Sequence, residues 1–280
     1  MIVATRTLSP ALVPIEIGLA TVRMRHGAHG DRGLAPGLLV TDPIDDWLPA
    51  TEFTTGGKLD WLLAVAEQRW RAAPHVAGSL LWRSYTYWLT LPVVLGWVTA
   101  RRVLLVDPED VLVRVDPAPA GPGSPPLLTF GLRRLRLAVA ADDPLAGPHP
   151  PTLTAGPDGN ELRVYQDSAQ LLTVLHQSLR AHHLDPLLGQ IRQRFRLGER
   201  TLLGSLAAAV AYALVRGMDA PLAELDEELH TLATSLGVAD LVTLTAGPDG
   251  APEVHRRTCC LAFTLPEPKI CGSCCLRNPR

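Results

Sequence analysis

The segment on which this chain is organised runs Arg256-Arg257-Thr258-Cys259-Cys260, then ten residues, then Cys271-Gly272-Ser273-Cys274-Cys275. All five cysteines of the 280-residue chain lie within it, and the first 258 residues contain none. A core that used cysteine as a small hydrophobic residue would scatter it along the chain. The clustering therefore predicts that the thiols act together, as disulfides, as a zinc site or as an iron–sulfur cluster.

The spacing of the cysteines separates these three alternatives. Disulfides fit least well, because the number of cysteines is odd and a chain of this length can build a core without them. Zinc is compatible with Cys271-x2-Cys274, but zinc sites usually pair two such knuckles, and the other half here is the vicinal pair Cys259-Cys260. Neighbouring side chains on an extended strand point to opposite faces, so they converge poorly on one ion. They can approach a two-iron centre from different angles, which favours a [2Fe–2S] cluster over zinc and leaves zinc open.

The motif Cys-Cys-x10-Cys-x2-Cys, preceded by Arg-Arg-Thr, resembles that of the siderophore-iron reductases of the FhuF type. The similarity covers roughly residues 60–280. Three upstream segments resemble the family's first long helix, its mid-chain element and the start of its second apolar helix: Ala77-Gly78-Ser79-Leu80-Leu81 through Tyr85 to Pro92, His183-Leu184-Asp185-Pro186-Leu187, and Glu199-Arg200-Thr201-Leu202-Leu203-Gly204-Ser205. Leu203-Gly204-Ser205 stands where family members often have Trp-Gly-Asn.

The resemblance implies a cytosolic ferric-siderophore reductase, an oxidoreductase with a [2Fe–2S] cluster on Cys259, Cys260, Cys271 and Cys274. Its substrate would be a ferric siderophore, with hydroxamate donors expected, and an unidentified donor would supply the electron. Ferrous iron binds such hard oxygen donors far more weakly than ferric iron, so one electron releases the metal without a general acid or base. Cys275 stands where relatives commonly have proline and is predicted to be a spare thiol. A non-catalytic [2Fe–2S] carrier or sensor, and a zinc-stapled binding protein, are the alternatives.

Basic residues accompany the cysteines. Between residues 254 and 280 the one acid is Glu267, and the basic residues are Arg256, Arg257, Lys269, Arg277 and Arg280. Four thiolates around two ferric irons and two sulfides leave a dianion, and reduction adds another negative charge, so nearby cations raise the potential. We predict a basic collar of Arg256, Arg257 and Lys269, with the two arginines as the candidate substrate contacts.

The rest of the chain predicts an α+β protein, mostly helical, with small antiparallel sheets. Apolar residues at helical spacing predict helices over 59–72, 76–100, 168–182, 184–196, 202–215 and 222–236, whereas 25–50 has the composition of a loop. Strands are predicted over 127–130 and 135–139, and a hairpin over 103–106 and 111–115. Gly-Pro-Asp-Gly occurs at 156–159 and 247–250 and predicts two more hairpin turns. The second of these would lead through residues 252–258 into Cys259.

Composition and sequence motifs predict the domain boundaries and exclude several classes of function. We predict a reductase body over 1–250, with a lobe boundary at the Pro/Gly/Ser stretch 117–126, and a cluster-binding segment over 251–280. The net charge of −2 argues against nucleic acid as a partner. Residues 1–24 lack a clean signal-peptide core, and Arg83 with its polar neighbours argues against a membrane span over 76–100, so a cytoplasmic protein is expected. No phosphate-binding glycine loop, nucleophile elbow or dinucleotide fingerprint occurs.

The remaining polar groups are predicted to have structural roles. The pair His182-His183 is expected at the C-terminal end of a helix, where the dipole favours it. The others are expected in solvated loops or on a solvated helix face, without a chemical role: His26, His29, His75, Asp45-Asp46, Asp142-Asp143, and Glu224 with Asp226, Glu227 and Glu228.

Overall fold

A computed structural model of the protein describes residues 11–27, 30–40, 46–118, 124–147, 160–272 and 274–276. Within these residues the α-helices, named α1 to α8 in chain order, are Val13–His26, Thr51–Thr54, Leu59–Trp70, Pro74–Ala100, Ser168–Leu175, Asp185–Arg194, Glu199–Gly217 and Leu222–Ser235. A π-helix, His176–Leu184, joins α5 to α6 without a break.

The strands of the described residues form three small sheets. Named β1 to β9, they are Leu34–Leu39, Leu48–Pro49, Val103–Leu104, Val111–Val115, Leu128–Leu132, Arg136–Ala140, Glu161–Tyr165, Val242–Ala246 and Pro252–Arg256. The first sheet has the order β1-β5-β4-β2, the second β3-β6-β7, and the third is the hairpin β8-β9. The pairs β1-β5 and β6-β7 are parallel and the others antiparallel. The predicted α+β class is confirmed, with two mixed sheets in place of purely antiparallel ones.

The core is built on α4, which is buried along most of its length and packs most extensively against α7. A helix that is apolar around its whole circumference is stable only inside a protein or a membrane. None of the helices in the described segments is long and apolar enough to cross a membrane. Small residues on α7 allow close approach to α4, and the buried Trp82 side chain donates from Nε1 to the Leu202 carbonyl at 2.7 Å. These two helices carry two of the three upstream segments that resemble the reductase family.

The predicted hairpin over 103–115 is wrong. β3 pairs with β6 and β4 pairs with β5, so the two strands enter different sheets. The intervening acids are turned inward: Arg136 Nη1 donates to Asp107 Oδ2 at 3.0 Å and to Asp110 Oδ2 at 2.7 Å, and its Nε donates to Glu161 Oε2 at 2.8 Å. The connection is therefore held in the core by a buried arginine, which the turn chemistry of the sequence does not reveal.

The prediction for the histidine pair is wrong in its cause. The helix does not end there, because the π-helix continues directly into α6. His183 is fully buried, with Nε2 2.7 Å from Tyr85 Oη and Nδ1 bonded to the Val106 carbonyl. Nδ1 must donate to the carbonyl, so Nε2 accepts the tyrosine proton. This bond joins α4 to the mid-chain element, and burial lowers the pKa of His183 to about 4.

Of the other predicted elements, most are confirmed and two predictions are wrong. The helices at 59–72, 76–100, 202–215 and 222–236, the strands near 127–139 and the last hairpin are confirmed, whereas the loop predicted over 25–50 contains β1 and β2. Glu228 is not on a solvated face, since it accepts from Trp97 Nε1 at 3.0 Å and pairs with Arg101.

The helices and strands do not test the predicted division into a reductase body and a cluster-binding segment. Stretch 117–126 joins β4 to β5, which are neighbours in one sheet, and the division at residue 250 stays a prediction. The first Gly-Pro-Asp-Gly turn, His29 and Asp45 lie outside the described residues.

Candidate metal centre

The hairpin β8-β9 delivers the chain to the cysteines, as predicted. Its turn is closed by bonds from Gly247 N to the Ala251 carbonyl and from Gly250 N to the Gly247 carbonyl. Gly250 has φ of 79°, a conformation that favours glycine. β9 ends at Arg256, and Arg257 N then donates to the Leu241 carbonyl at 3.0 Å. The strand thus fixes the direction in which Thr258 and Cys259 leave the sheet.

Two contacts seat the cysteine segment on the central helices. Gly204 of α7 lies against the buried Thr258, so closely that a Cβ built on Gly204 would be 1.9 Å from Thr258 Oγ1. Ser79 of α4 donates from Oγ to the Cys260 carbonyl at 3.2 Å. Both Gly204 and Ser79 belong to the segments that resemble the reductase family. The structure therefore brings those segments to the cysteines, although they are far apart in sequence.

The thiols are arranged as two neighbouring sets. The Cys271 side chain interacts with Cys260 and the Cys275 side chain with Cys259, and both Cys260 and Cys274 are close enough to act electrostatically on Cys259. Cys274 N donates to the Cys271 carbonyl at 3.1 Å, which closes the tight loop expected between these residues. No three of the five thiols, all of which lie in the described residues, are mutually within 4.8 Å.

A two-iron centre and a zinc ion would use these thiols differently. Four thiolates on one tetrahedral zinc, each about 2.3 Å from the metal, would all lie about 3.8 Å from one another. In a [2Fe–2S] cluster each iron takes two of the four protein thiolates, so the thiolates form two separated pairs. Cys260 with Cys271 can make one pair, and Cys259 with Cys274 the other. Because Cys275 also reaches Cys259, the choice between Cys274 and Cys275 stays a prediction.

The thiols are also surrounded by donors suited to negatively charged sulfur. Leu261 N donates to Cys259 Sγ at 3.3 Å, and Arg83 Nη1 donates to Cys260 Sγ at 3.4 Å. The bond from Cys271 and then the charges of Arg83 and Arg256 lower the pKa of Cys260 to about 4, against the opposing effect of burial. Burial raises the pKa of Cys259 and of Cys275.

Arg256 is a buried positive charge beside the thiols. It is only 5 % exposed, its Nη2 donates to Ser205 Oγ at 3.2 Å, and its Nε has no partner among the described residues. No carboxylate of the described part of the chain pairs with it. Burying an unpaired charge costs several kcal/mol, so a counter-charge is expected nearby. The cysteines are the groups on which its charge acts.

The three residues of the predicted basic collar are placed differently. Arg256 is buried beside the thiols, whereas Arg257 is exposed and acts on Asp240, and Lys269 is exposed. Arg277 and Arg280 lie outside the described residues. Sequence reasoning missed Arg83 as a member of the site. The signal for it in the sequence is a charged residue inside an otherwise apolar helix.

Two open grooves adjoin the cysteines. One, of about 830 Å³, runs between α4, α7 and the cysteine segment and reaches Cys271. The other, of about 800 Å³, is lined by the β8-β9 hairpin, Arg257, Cys274 and Cys275. Because cysteines line each groove, solvent reaches the thiols from two sides. Arg256 lines both grooves.

A separate acidic group is already neutralised. Asp107, Glu109 and Asp110 lie close enough together to share a cation. Arg136 occupies that position, however, and Arg134 binds Asp110 as well. We therefore assign this group to the fold.

The comparisons with known proteins add no family. No family model matches the chain, and no curated protein matches it either.

Proposed function

We propose that this protein is a cytosolic [2Fe–2S] ferric-siderophore reductase of the type that its cysteine motif resembles. The observation that supports the proposal most is the buried Arg256, which has no carboxylate partner among the described residues and acts on the thiols. A positive charge buried without a carboxylate is stabilised by an anionic group. A cluster held by four thiolates is such a group, and it becomes more negative on reduction.

In this proposal Cys259, Cys260, Cys271 and Cys274 hold the cluster, which supplies one-electron exchange when it is bound. Arg83 and Arg256 place positive charge beside it and so favour the reduced form over the oxidised form. Thr258 and the Cys260 carbonyl, held by Gly204 and Ser79, fix the position of the vicinal pair against the helical body.

The substrate is ferric iron in an oxygen-donor chelate, and an external one-electron reductant supplies the electron. Addition of one electron converts ferric to ferrous iron, which hydroxamate-type oxygen donors bind far more weakly. The chain needs no general acid or base for this step. Consistent with that, no carboxylate or histidine lines the groove that reaches Cys271.

A stopped-flow experiment tests the proposal. Protein prepared without oxygen is reduced with one equivalent of dithionite, freed of excess reductant and mixed with a ferric chelate, while a ferrous-specific dye traps the product. We expect the visible absorption of the oxidised cluster to return as one ferrous ion appears per chain.

Each result separates the alternatives. Reoxidation by a small artificial acceptor, with no ferrous product from any chelate, would identify a carrier or sensor. A colourless protein that takes no electron from dithionite would favour the zinc-stapled protein. A Cys271→Ser variant controls for direct reduction of the chelate by residual dithionite.

A further inference from the structure

The groove of about 830 Å³ beside Cys271 carries an unusual charge pattern. Four basic side chains line it, and no acidic residue does: Arg83, Arg216, Arg256 and Lys269. None of the four is paired with a carboxylate among the residues that the structure describes. The acid of the cysteine segment, Glu267, lines an adjoining groove instead. A groove lined by charges of one sign, with low-dielectric walls, concentrates the electric field of those charges. The positive side chains of this groove therefore attract anions.

Arg216 is held in place by aromatic rings. Its guanidinium carbon lies 5.3 Å from the Tyr87 ring centroid and 5.2 Å from that of Tyr212. Its Nη1 also donates to Tyr87 Oη at 2.7 Å. A cation held against two rings is positioned before a ligand arrives, so less side-chain entropy is lost when it binds an anionic oxygen.

The walls of the groove offer flat apolar surface. Trp70 and Trp88 line it together with Tyr87 and Tyr212, and small residues of α7, Ala208 and Ala209, form part of the lining. Aromatic rings prefer offset-stacked or edge-to-face contact with other rings. The groove therefore combines cations for anionic oxygens with rings for aryl groups.

We propose that this groove binds a ferric chelate of net negative charge whose iron donors are aryl groups, of the catecholate class. The proposal rests on the proposed function and replaces the hydroxamate chelate expected from the sequence with a catecholate chelate. Three catecholates, each dianionic, leave a trivalent metal complex with three negative charges, whereas three hydroxamates leave it neutral. Arg216 and Lys269 contact the anionic oxygens, and the Trp70 and Trp88 rings contact the aryl groups.

Binding is tested with gallium(III) chelates, because gallium has the charge and size of ferric iron but accepts no electron under these conditions. The holoprotein is titrated by calorimetry with a gallium tris-catecholate and, separately, with a neutral gallium trihydroxamate. We expect the catecholate to bind at least tenfold more tightly and its affinity to fall as salt is added.

Variants locate the site. Arg216→Gln and Lys269→Gln should each weaken catecholate binding about tenfold, because each removes one positive charge from the groove. Arg200→Gln removes a charge from the same helix, α7, but from an exposed pair with Asp240 outside the groove, and should leave affinity unchanged.

The outcomes distinguish this inference from the proposed function. Equal or tighter binding of the trihydroxamate would overturn the assignment of ligand class while leaving reduction intact. Catecholate binding unaffected by Arg216→Gln and Lys269→Gln would overturn the assignment of the groove. Gallium catecholate binding without reduction of the ferric form would support the groove and reject the reductase.

Discussion

Replacing Gly204 with alanine should displace the cysteine segment from its position against α7. The added Cβ would lie 1.9 Å from Thr258 Oγ1, 2.7 Å from its Cγ2 and 2.8 Å from its Cβ. Carbon atoms in contact prefer separations of about 3.5–4.0 Å, so Thr258 must retreat by about an ångström or more. Overpacking of this kind in a closely packed region costs about 1–3 kcal/mol. Because Thr258 directly precedes Cys259, the displacement is passed to the vicinal pair.

The assay compares unfolding of the apoprotein and iron content after anaerobic reconstitution. Gly204→Ala should lower the free energy of unfolding by about 1–3 kcal/mol and reduce iron and sulfide loading. Gly189→Ala is the matched control, since nothing lies within 4 Å of a Cβ built there on α6. Alanine at that helical position should raise stability by about 0.5–1 kcal/mol and leave loading unchanged.

A second substitution tests the cause. Thr258→Ala removes the Oγ1 and Cγ2 atoms that Gly204→Ala would strike, so the double variant should recover part of both stability and iron loading. If Gly204→Ala unfolds at the same denaturant concentration as the parent and keeps its iron, the close packing against Thr258 does not seat the segment.

Three further predictions concern charge, ligand choice and acid stability. Arg256→Gln should lower the midpoint potential by up to about 90 mV, the effect expected for a unit charge at an assumed separation on the order of 8 Å and an effective dielectric constant of about 20, which contributes about 2 kcal/mol. The exposed Arg257→Gln should shift it far less, and equal shifts in film voltammetry would contradict a special role for the buried residue. Cys275→Ser should keep the absorption spectrum and iron content, whereas Cys274→Ser should lose them; the reverse result would move the ligand assignment by one residue. Burial holds the pKa of His183 at about 4, below its ordinary 6.5, so the unfolded chain takes up this proton first and stability falls as pH drops from 6.5 through 4. The loss attributable to His183 should approach about 3 kcal/mol in urea unfolding, and His183→Gln should flatten that part of the profile; an unchanged profile in the variant would show that His183 is not the cause.

The sequence predicted the parts of the fold that local patterns govern. The apolar runs of α4 and α7 and the turn chemistry before β9 are local signals, and they placed these elements within a few residues. The sequence did not predict strand pairing where contacts between distant residues determine it. β3 and β4 flank a good turn sequence, but Asp107 and Asp110 bind Arg136 from another strand and draw the turn into the core.

The candidate site shows the same limit. The cysteine spacing identified the segment, yet it could not show that Cys275 as well as Cys274 reaches Cys259. Arg83 joins the site because α4 passes the thiols in space, some 177 residues from Cys260 in sequence. Likewise, nothing in the composition distinguished the buried Arg256 from its exposed neighbour Arg257.

The central claim is that the cysteines hold a [2Fe–2S] cluster, and metal with acid-labile sulfide content tests it most directly. Protein purified without oxygen should contain about two irons and two sulfides per chain, with little zinc. One zinc per chain with no sulfide would contradict the account, because the thiols would then bind a single tetrahedral metal and no two-iron cluster.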